Sequence, residues 1–436
     1  MDSRVRDVRI TTEEDSMTHL KRRTVIGGLG ASALTAPFLT RTAWAQSDEP
    51  IKIGVVTSLS GPQEFIGSFV LNGCKIAVNQ INAQGGVMGR ELVLEVRDDR
   101  ANPADATAAA RELIGLGAHL QIGTISSAVA LAMGPLMSQE GGVVITCGAG
   151  SEKINHENYN KHVFRPGDGP YMRMRAQAQL MAERQPEVTS WTGIIPDHEY
   201  GRTTWAVFVD GLLEFYPDIA GVQPEIIDPI IVPYGAGDYR SFITQAARSS
   251  AKGIYNSTYG GDSVTLFQQA KPYRLFEDRI LMDSANEFIV AGALGTQTPP
   301  HWTGIHWYHE TNKGNEMSDQ LYADYVEMTG DTTPMGWLAE AHAGIYAYAK
   351  AIEKAGSTET DAVISGLKGL VWQTVTGERT MRAEDNQAIK DVELIYIEPK
   401  PDTEKGYAVT DYVKVEGTSV IEPPSPGQAV ELRSPT

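Results

Sequence analysis

The chain has 436 residues, length enough for two domains with sizeable cores, and its 42% apolar and 21% charged content is that of an ordinary globular protein. Residues up to Gln46 hold seven of the 37 basic and five of the 55 acidic side chains, so the remainder carries 30 against 50, a formal charge of −20. Such an acidic surface disfavours nucleic acid as a partner.

The first element to be met is a leader. KRRTVIGGLGASALTAPFLTRTAWAQ sets basic residues before a short, weakly apolar run and an Ala-x-Ala site at Ala43 to Ala45, the pattern of a signal peptide over residues 1–45 cleaved after Ala45. Arg22 and Arg23, followed by Val25 and Ile26, resemble a twin-arginine export signal, with Lys21 where that pattern usually has Ser or Thr. A membrane anchor would need about 20 apolar residues, whereas Thr24 to Thr40 is shorter and interrupted by Pro37. Residues 1–16 take no part in the signal, which makes Met17 a candidate start. No later run approaches spanning length, so the mature protein is expected to be soluble outside the cytoplasm.

From Ile51 the pattern reads strand, loop, helix, strand. IKIGVV is apolar and β-branched, TSLSGPQEFIG is a turn-rich loop, and from Phe65 the period becomes helical, with Phe69, Gly73, Ile76 and Ala77 on one face until NAQGG. ELVLEV is the second strand. A β-α-β unit implies a parallel sheet whose ligands gather at the carboxyl ends of its strands, which places function between Ser58 and Gly67. Asn102 and Pro103 read as N-cap and first residue of a helix that stops at Gly117. HLQIGT is a strand, Ser126 or Ser127 begins a helix through Glu140, and GVVITC is a strand ending in the small-residue loop GAGS. HVFRP and GDGP are a plausible crossing into a second half.

That half repeats the rhythm: a helix from Tyr171 to about Arg184, strand WTGII, loop PDHEYG, a helix from Arg202, strand EIIDPIIV, a helix from Asp238, strand KGIYNS, a further loop and helix, and strand DRILMD. TGIHWYHE is expected as an aromatic strand. Trp337, Ala341, Gly344, Ile345, Tyr348 and Ile352 mark one face of a long helix, VWQTVTG and DVELIYIE are late strands, and the Pro-rich end is a loose tail. Cys74 and Cys147 are the only cysteines. One disulfide and two buried free thiols both remain open, because a bridge needs Cα atoms within about 7 Å.

Between about Ile51 and Glu398, the order and spacing of IKIG, SLSGP, GCKIAVNQINAQGGVMGRELVLEVRDD, IGTISSAVALAM, VVITCGAGS and AKAIEKAGSTETDAV resemble the periplasmic solute-binding proteins of branched-chain amino acid and amide ABC transporters. The resemblance implies an α/β fold: two doubly wound parallel-sheet lobes, joined by three crossings, that close over a small solute, the type I periplasmic binding fold. It divides the chain into residues 48–166 with about 309–370, residues 167–308 with about 371–415, and a tail at 416–436. It implies a periplasmic location, a small-molecule solute, the permease and ATPase subunits of an inner-membrane ABC transporter as partners, and neither cofactor nor metal. A sensor domain feeding a signalling partner is the alternative, since fold does not fix function, with a secreted enzyme third.

Carried over residue by residue, Ser127 matches the serine at a helix start that holds the solute carboxylate, a role that free helix N–H groups support physically. Ser126 or Ser127 also serves as N-cap. Gly148, Ala149 and Gly150 match the loop whose backbone meets the same carboxylate, with Gly150 where amino-acid binders carry a threonine. Tyr200 matches the tyrosine that covers the solute, and Ile66 stands beside Phe65 where the family often has an aromatic contact. The acid that should hold an ammonium falls at Ala285 or Asn286, with Asp283 and Glu287 nearby. A buried ammonium without an acid costs several kcal/mol, so a small carboxylate, an aromatic one included, or a neutral amide competes with an amino acid as the solute.

Enzyme chemistry lacks a convergent set of reactive groups. His301, His306, His309 and Glu310 come nearest, yet on a strand His306 and His309 point to opposite faces and cannot easily share a metal. Trp302, Trp307 and Tyr308 read as packing, with a pocket wall near a crossing the other role open to Tyr308.

Overall fold

The computed structural model describes residues 49–435 apart from Pro62. The twin-arginine pair, the Ala-x-Ala site and Met17 lie outside the described residues.

The β-branched run at the start builds β1 (Ile51–Thr57), and α1 (Glu64–Ala83) returns the chain to β2 (Leu92–Asp98), which pairs parallel with β1. The next helix, α2 (Pro103–Gly115), opens as the sequence predicts: the Asn102 side chain accepts from the amides of Ala104 and Asp105, and Pro103 gives up no needed donor. β3 (Leu120–Thr124), α3 (Ser127–Glu140), β4 (Val143–Thr146) and β5 (Val163–Phe164) complete a parallel sheet of order β2-β1-β3-β4-β5. The order reverses between β1 and β3, so the loops that follow those strands open side by side at the switch point. Alternation along β1 divides the core: Ile53 and Val55 enter one apolar cluster, Val56 the cluster under α2 and α3.

The second sheet follows α4 (Pro170–Arg184). It takes β6 (Ser190–Pro196), α5 (Glu199–Phe215), β7 (Glu225–Ile226), β8 (Ile230–Val232), α6 (Arg240–Arg248), β9 (Gly253–Asn256), α7 (Gly261–Ala270), β10 (Ile280–Asp283), α8 (Ile289–Leu294) and β11 (His301–Ile305). EIIDPIIV, expected as one strand, is two short ones on β6, parted at Pro229, which has no N–H for a ladder. The aromatic strand ends at Ile305 rather than running to Glu310, because its antiparallel partner is used up: Ile305 already faces Glu393.

Three helices then return to the first half: α9 (Glu316–Thr329) packs on α1, α10 (Trp337–Ala355) on α1 and β3, and α11 (Thr360–Leu367) on α10. The approach of α10 to α1 requires Gly73, where a Cβ would lie 2.1 Å from the Leu338 carbonyl oxygen. Cys74 and Cys147 are buried free thiols in this core, and burial pushes the Cys74 thiol up to about 12. β12 (Val371–Thr374), β13 (Gly377–Met381) and β14 (Ala388–Ile389) form a small sheet of their own. Trp372 donates to the Ala343 carbonyl of α10 at 3.1 Å, which holds this sheet on the first half and corrects its placement with the second. Only β15 (Val392–Pro399) and β16 (Tyr407–Val415) extend the second sheet, antiparallel beyond β11 with β16 outermost. Sheet membership therefore puts the three crossings at 165–169, 306–315 and 390–391.

The last residues are not a loose tail. α12 (Gly417–Val420) packs on α4, Glu422 is buried against His156 at 3.1 Å and Arg382 at 3.3 Å, and Arg433 pairs with Asp210 at 3.0 Å. The buried acid and its cations are what fix a segment whose Pro-rich composition reads as loop. No described helix is long and apolar enough to cross a membrane.

Candidate functional site

A cavity of about 440 Å³ lies between the carboxyl ends of the two sheets. One wall is the start of α3 and the loop after β4. Ser126 occupies the N-cap position without a side-chain cap bond, which leaves first-turn amides of α3 open to a ligand. The Ser127 hydroxyl accepts from the Gly150 amide at 3.2 Å and so ties the helix start to the glycine loop. Two aromatics explain the glycines: a Cβ on Gly148 would stand 3.0 Å from Trp337 Nε1, and one on Gly150 only 2.7 Å from Tyr200 Cδ2.

The facing wall is aromatic. His198, Tyr200, Tyr234 and Tyr259 meet with ring centroids 5.5 to 6.3 Å apart. Tyr200 donates to Ser284 Oγ at 3.1 Å, and burial pushes its phenol up to about 12, so it stays a neutral donor. Three polar contacts bridge the walls: Gln63 Nε2 donates to the Tyr259 hydroxyl at 3.3 Å, and Glu199 meets both Ser151 and Lys153 at 3.2 Å.

The floor is a buried ion network at the crossings. Arg173 Nε donates to Asp168 at 2.7 Å, and Arg379 grips Glu340 with both terminal nitrogens at 2.7 and 3.0 Å. The Lys390 ammonium reaches Asp168 at 3.2 Å, Glu340 at 3.4 Å and the His306 carbonyl at 3.2 Å. Burial pushes both carboxyls up, yet the cations prevail: Arg173 and Lys390 hold Asp168 well below the usual range, and Arg379 and Lys390 hold Glu340 at about 2. Both stay ionised at neutral pH.

Two lobes around such a cavity, with the family model for periplasmic binding proteins matching residues 50–404, decide the family. The chain belongs to the periplasmic binding proteins. It is similar to the Leu/Ile/Val-binding protein BraC3 of Rhizobium johnstonii, at 24% identity over 77% of this chain and 88% of that one. Its fold matches the closed leucine-, isoleucine-, valine-, threonine- and alanine-binding protein of Brucella ovis at TM-score 0.76 and 19% identity, covering 88% of this chain and 100% of that one. It also matches a solute-binding protein from R. palustris in complex with benzoate, at TM-score 0.72 and 15% identity, covering 87% and 100%.

In this periplasmic binding protein Ile66, Ser126, Ser127, Gly148, Ala149, Gly150 and Tyr200 all line the cavity. Phe65 does not: it is half exposed, one helical step round from Ile66, with its edge on Phe69 at 5.1 Å. Asp283 and Asn286 lie behind the wall in a network with Asn256 and each other, while Ala285 alone of that stretch faces the cavity. Glu287 is likewise committed, accepting from the His306 amide at 3.0 Å and the Gly336 amide at 2.6 Å, with His306 Nδ1 at 2.7 Å. None of the three is available to a solute ammonium. Tyr308 packs on Phe288 at 5.2 Å rather than on the cavity, and His309 stacks on Tyr322, away from His306. Sequence reasoning missed Asp168, Arg173 and Glu340 and weighed His306 only for enzyme or metal chemistry; the signal for Glu340 was there, a carboxylate amid the buried residues of α10.

Proposed function

We propose that this chain is the extracytoplasmic solute receptor of an ABC importer, that it captures a small organic acid, aromatic acids included, by lobe closure, and that it performs no chemistry. The observation that carries the choice of an acid is the state of the acids at the cavity. Asp168, Glu199 and Glu340 line it, and each already answers to a protein cation: Arg173, Lys153 and Arg379. An ammonium would find no free carboxylate, whereas the start of α3 offers unpaired donors to an anion. Relatives named for branched-chain amino acids and one that holds benzoate are compatible with either class of solute. The wall-to-wall contacts of Gln63 and Glu199 support reading this conformation as the closed one, and a solute that favours it drives the equilibrium by its differential affinity.

Thermal-shift screening of the purified chain separates the classes, since a ligand at 100 times its dissociation constant stabilises by about 2.7 kcal/mol. Benzoate or another monoacid is expected to raise the melting temperature. Stabilisation by leucine, isoleucine or valine alone would overturn the choice of an acid. The permease and ATPase are the partners in this reading, the periplasm is the location, and the twin-arginine leader is the route to it.

A further inference from the structure

Arg173 lines the cavity, is 5% exposed, and is hydrogen-bonded through Nε, to Asp168; its Nη2 is buried without a partner. A guanidinium in that state lacks an acceptor. The protein does not supply one nearby, because the acids of the floor are taken. Asp168 gives one oxygen to Arg173 Nε and the other to Lys390, Glu340 gives both to Arg379 and shares one of them with Lys390, and Glu287 gives its two to His306 and the Gly336 amide. Three cations, Arg173, Lys390 and Arg379, thus share the carboxylates of Asp168 and Glu340.

Among the donors that line the cavity, two places suit a carboxylate. The first is the start of α3 with Ser127 and the glycine loop. The second is the guanidinium of Arg173, and Tyr200 spans the distance between them. Its ring lies against Gly150 on one side, and its hydroxyl reaches Ser284, whose carbonyl oxygen and Arg173 Cδ both come within 2.8 Å of the point where a Cβ on Gly304 would stand.

We propose that the solute is a small dicarboxylic acid, with one carboxylate on the α3 start and the second on the terminal nitrogens of Arg173, joined by a spacer lying along the Tyr200 ring. This rests on the reading of the cavity as an acid site. Arg suits the second position because its planar fork donates two parallel N–H bonds to a carboxylate.

The test is calorimetric titration of the purified chain with benzoate, benzene-1,3-dicarboxylate, benzene-1,4-dicarboxylate and glutarate. At least one diacid is expected to bind ten times or more tighter than benzoate, and Arg173→Gln is expected to collapse that ratio to near one. Diacids no tighter than benzoate overturn the proposal while leaving the acid reading in place, as does an unchanged ratio in Arg173→Gln. Binding of leucine without any of the four acids overturns both. Should Arg173→Gln fail to fold, the diacid-to-monoacid ratio of the unaltered chain still decides.

Discussion

Gly150→Ala is the most informative single change, because its cost is confined to one contact. The added Cβ would stand 2.7 and 2.9 Å from Cδ2 and Cε2 of Tyr200, and its next neighbour, Pro170 Cγ, is at an ordinary 3.7 Å. Tyr200 has to retreat by several tenths of an ångström, and its ring is held by Tyr259 on one side and the bond to Ser284 at its tip. Overpacking of this kind costs about 1–3 kcal/mol, and loss of the Ser284 bond adds about 1 kcal/mol. Gly150 and Tyr200 come from opposite walls, so the penalty falls on the closed state and leaves each lobe intact. Affinity for the acid giving the largest thermal shift should drop about 30- to 1,000-fold in calorimetry, while the melting temperature without ligand stays within about 2 °C. Adding Tyr200→Ala should make Gly150→Ala harmless. Unchanged affinity, or an equal loss of stability in the unliganded protein, would refute the steric argument.

Ser127→Ala should weaken the same acid by about 1–3 kcal/mol, since the hydroxyl anchors the Gly150 amide and, in the proposed site, meets the anion; wild-type affinity would remove Ser127 from the site. His156 gives a pH dependence. Burial lowers its pKa, but Glu152 and Glu422 outweigh burial and raise it from 6.5 to about 9. With the folded value above the unfolded one, the stabilisation is complete below pH 6.5 and is lost as pH rises through about 9, at most about 3 kcal/mol. Urea unfolding at pH 6 and pH 9.5 should show this difference, and His156→Gln should flatten it. Replacing Arg22 and Arg23 by lysine should retain the precursor in the cytoplasm, and normal export of that variant would assign the leader to the general secretory route.

Periodicity made most of the fold legible. Asn102 with Pro103 marks a helix start by chemistry that acts within four residues, and the β-branched run at Ile51 needs no distant partner to be recognised. What eluded sequence depends on partners far along the chain. The end of β11 is set by where β15 begins, and the 371–389 sheet is placed by Trp372 under α10. The same holds at the cavity. Ser127 and Gly150, carried over from the family resemblance, do line the cavity, whereas Asp283 and Glu287 looked available because partners such as Asn256 and Gly336 are remote in sequence. Arg173 reads as one more helix-surface cation until Gly304 and Asp168 surround it.

Lys390 binds the three crossings at one point. Its ammonium touches Asp168 from the first, the His306 carbonyl from the second, and itself belongs to the third. Three separate connectors would each bend on their own and let the lobes shear as well as swing. Pinned together on a single charge buried to 3% exposure, they would act as one axle in the proposed lobe closure, leaving rotation about it as the soft motion. The axle also touches the load, because Asp168 and Glu340 are at once its bearings and the floor of the cavity. If a solute draws on Arg173 as proposed, the pull passes to Asp168 and hence to Lys390, which would register occupancy at the pivot.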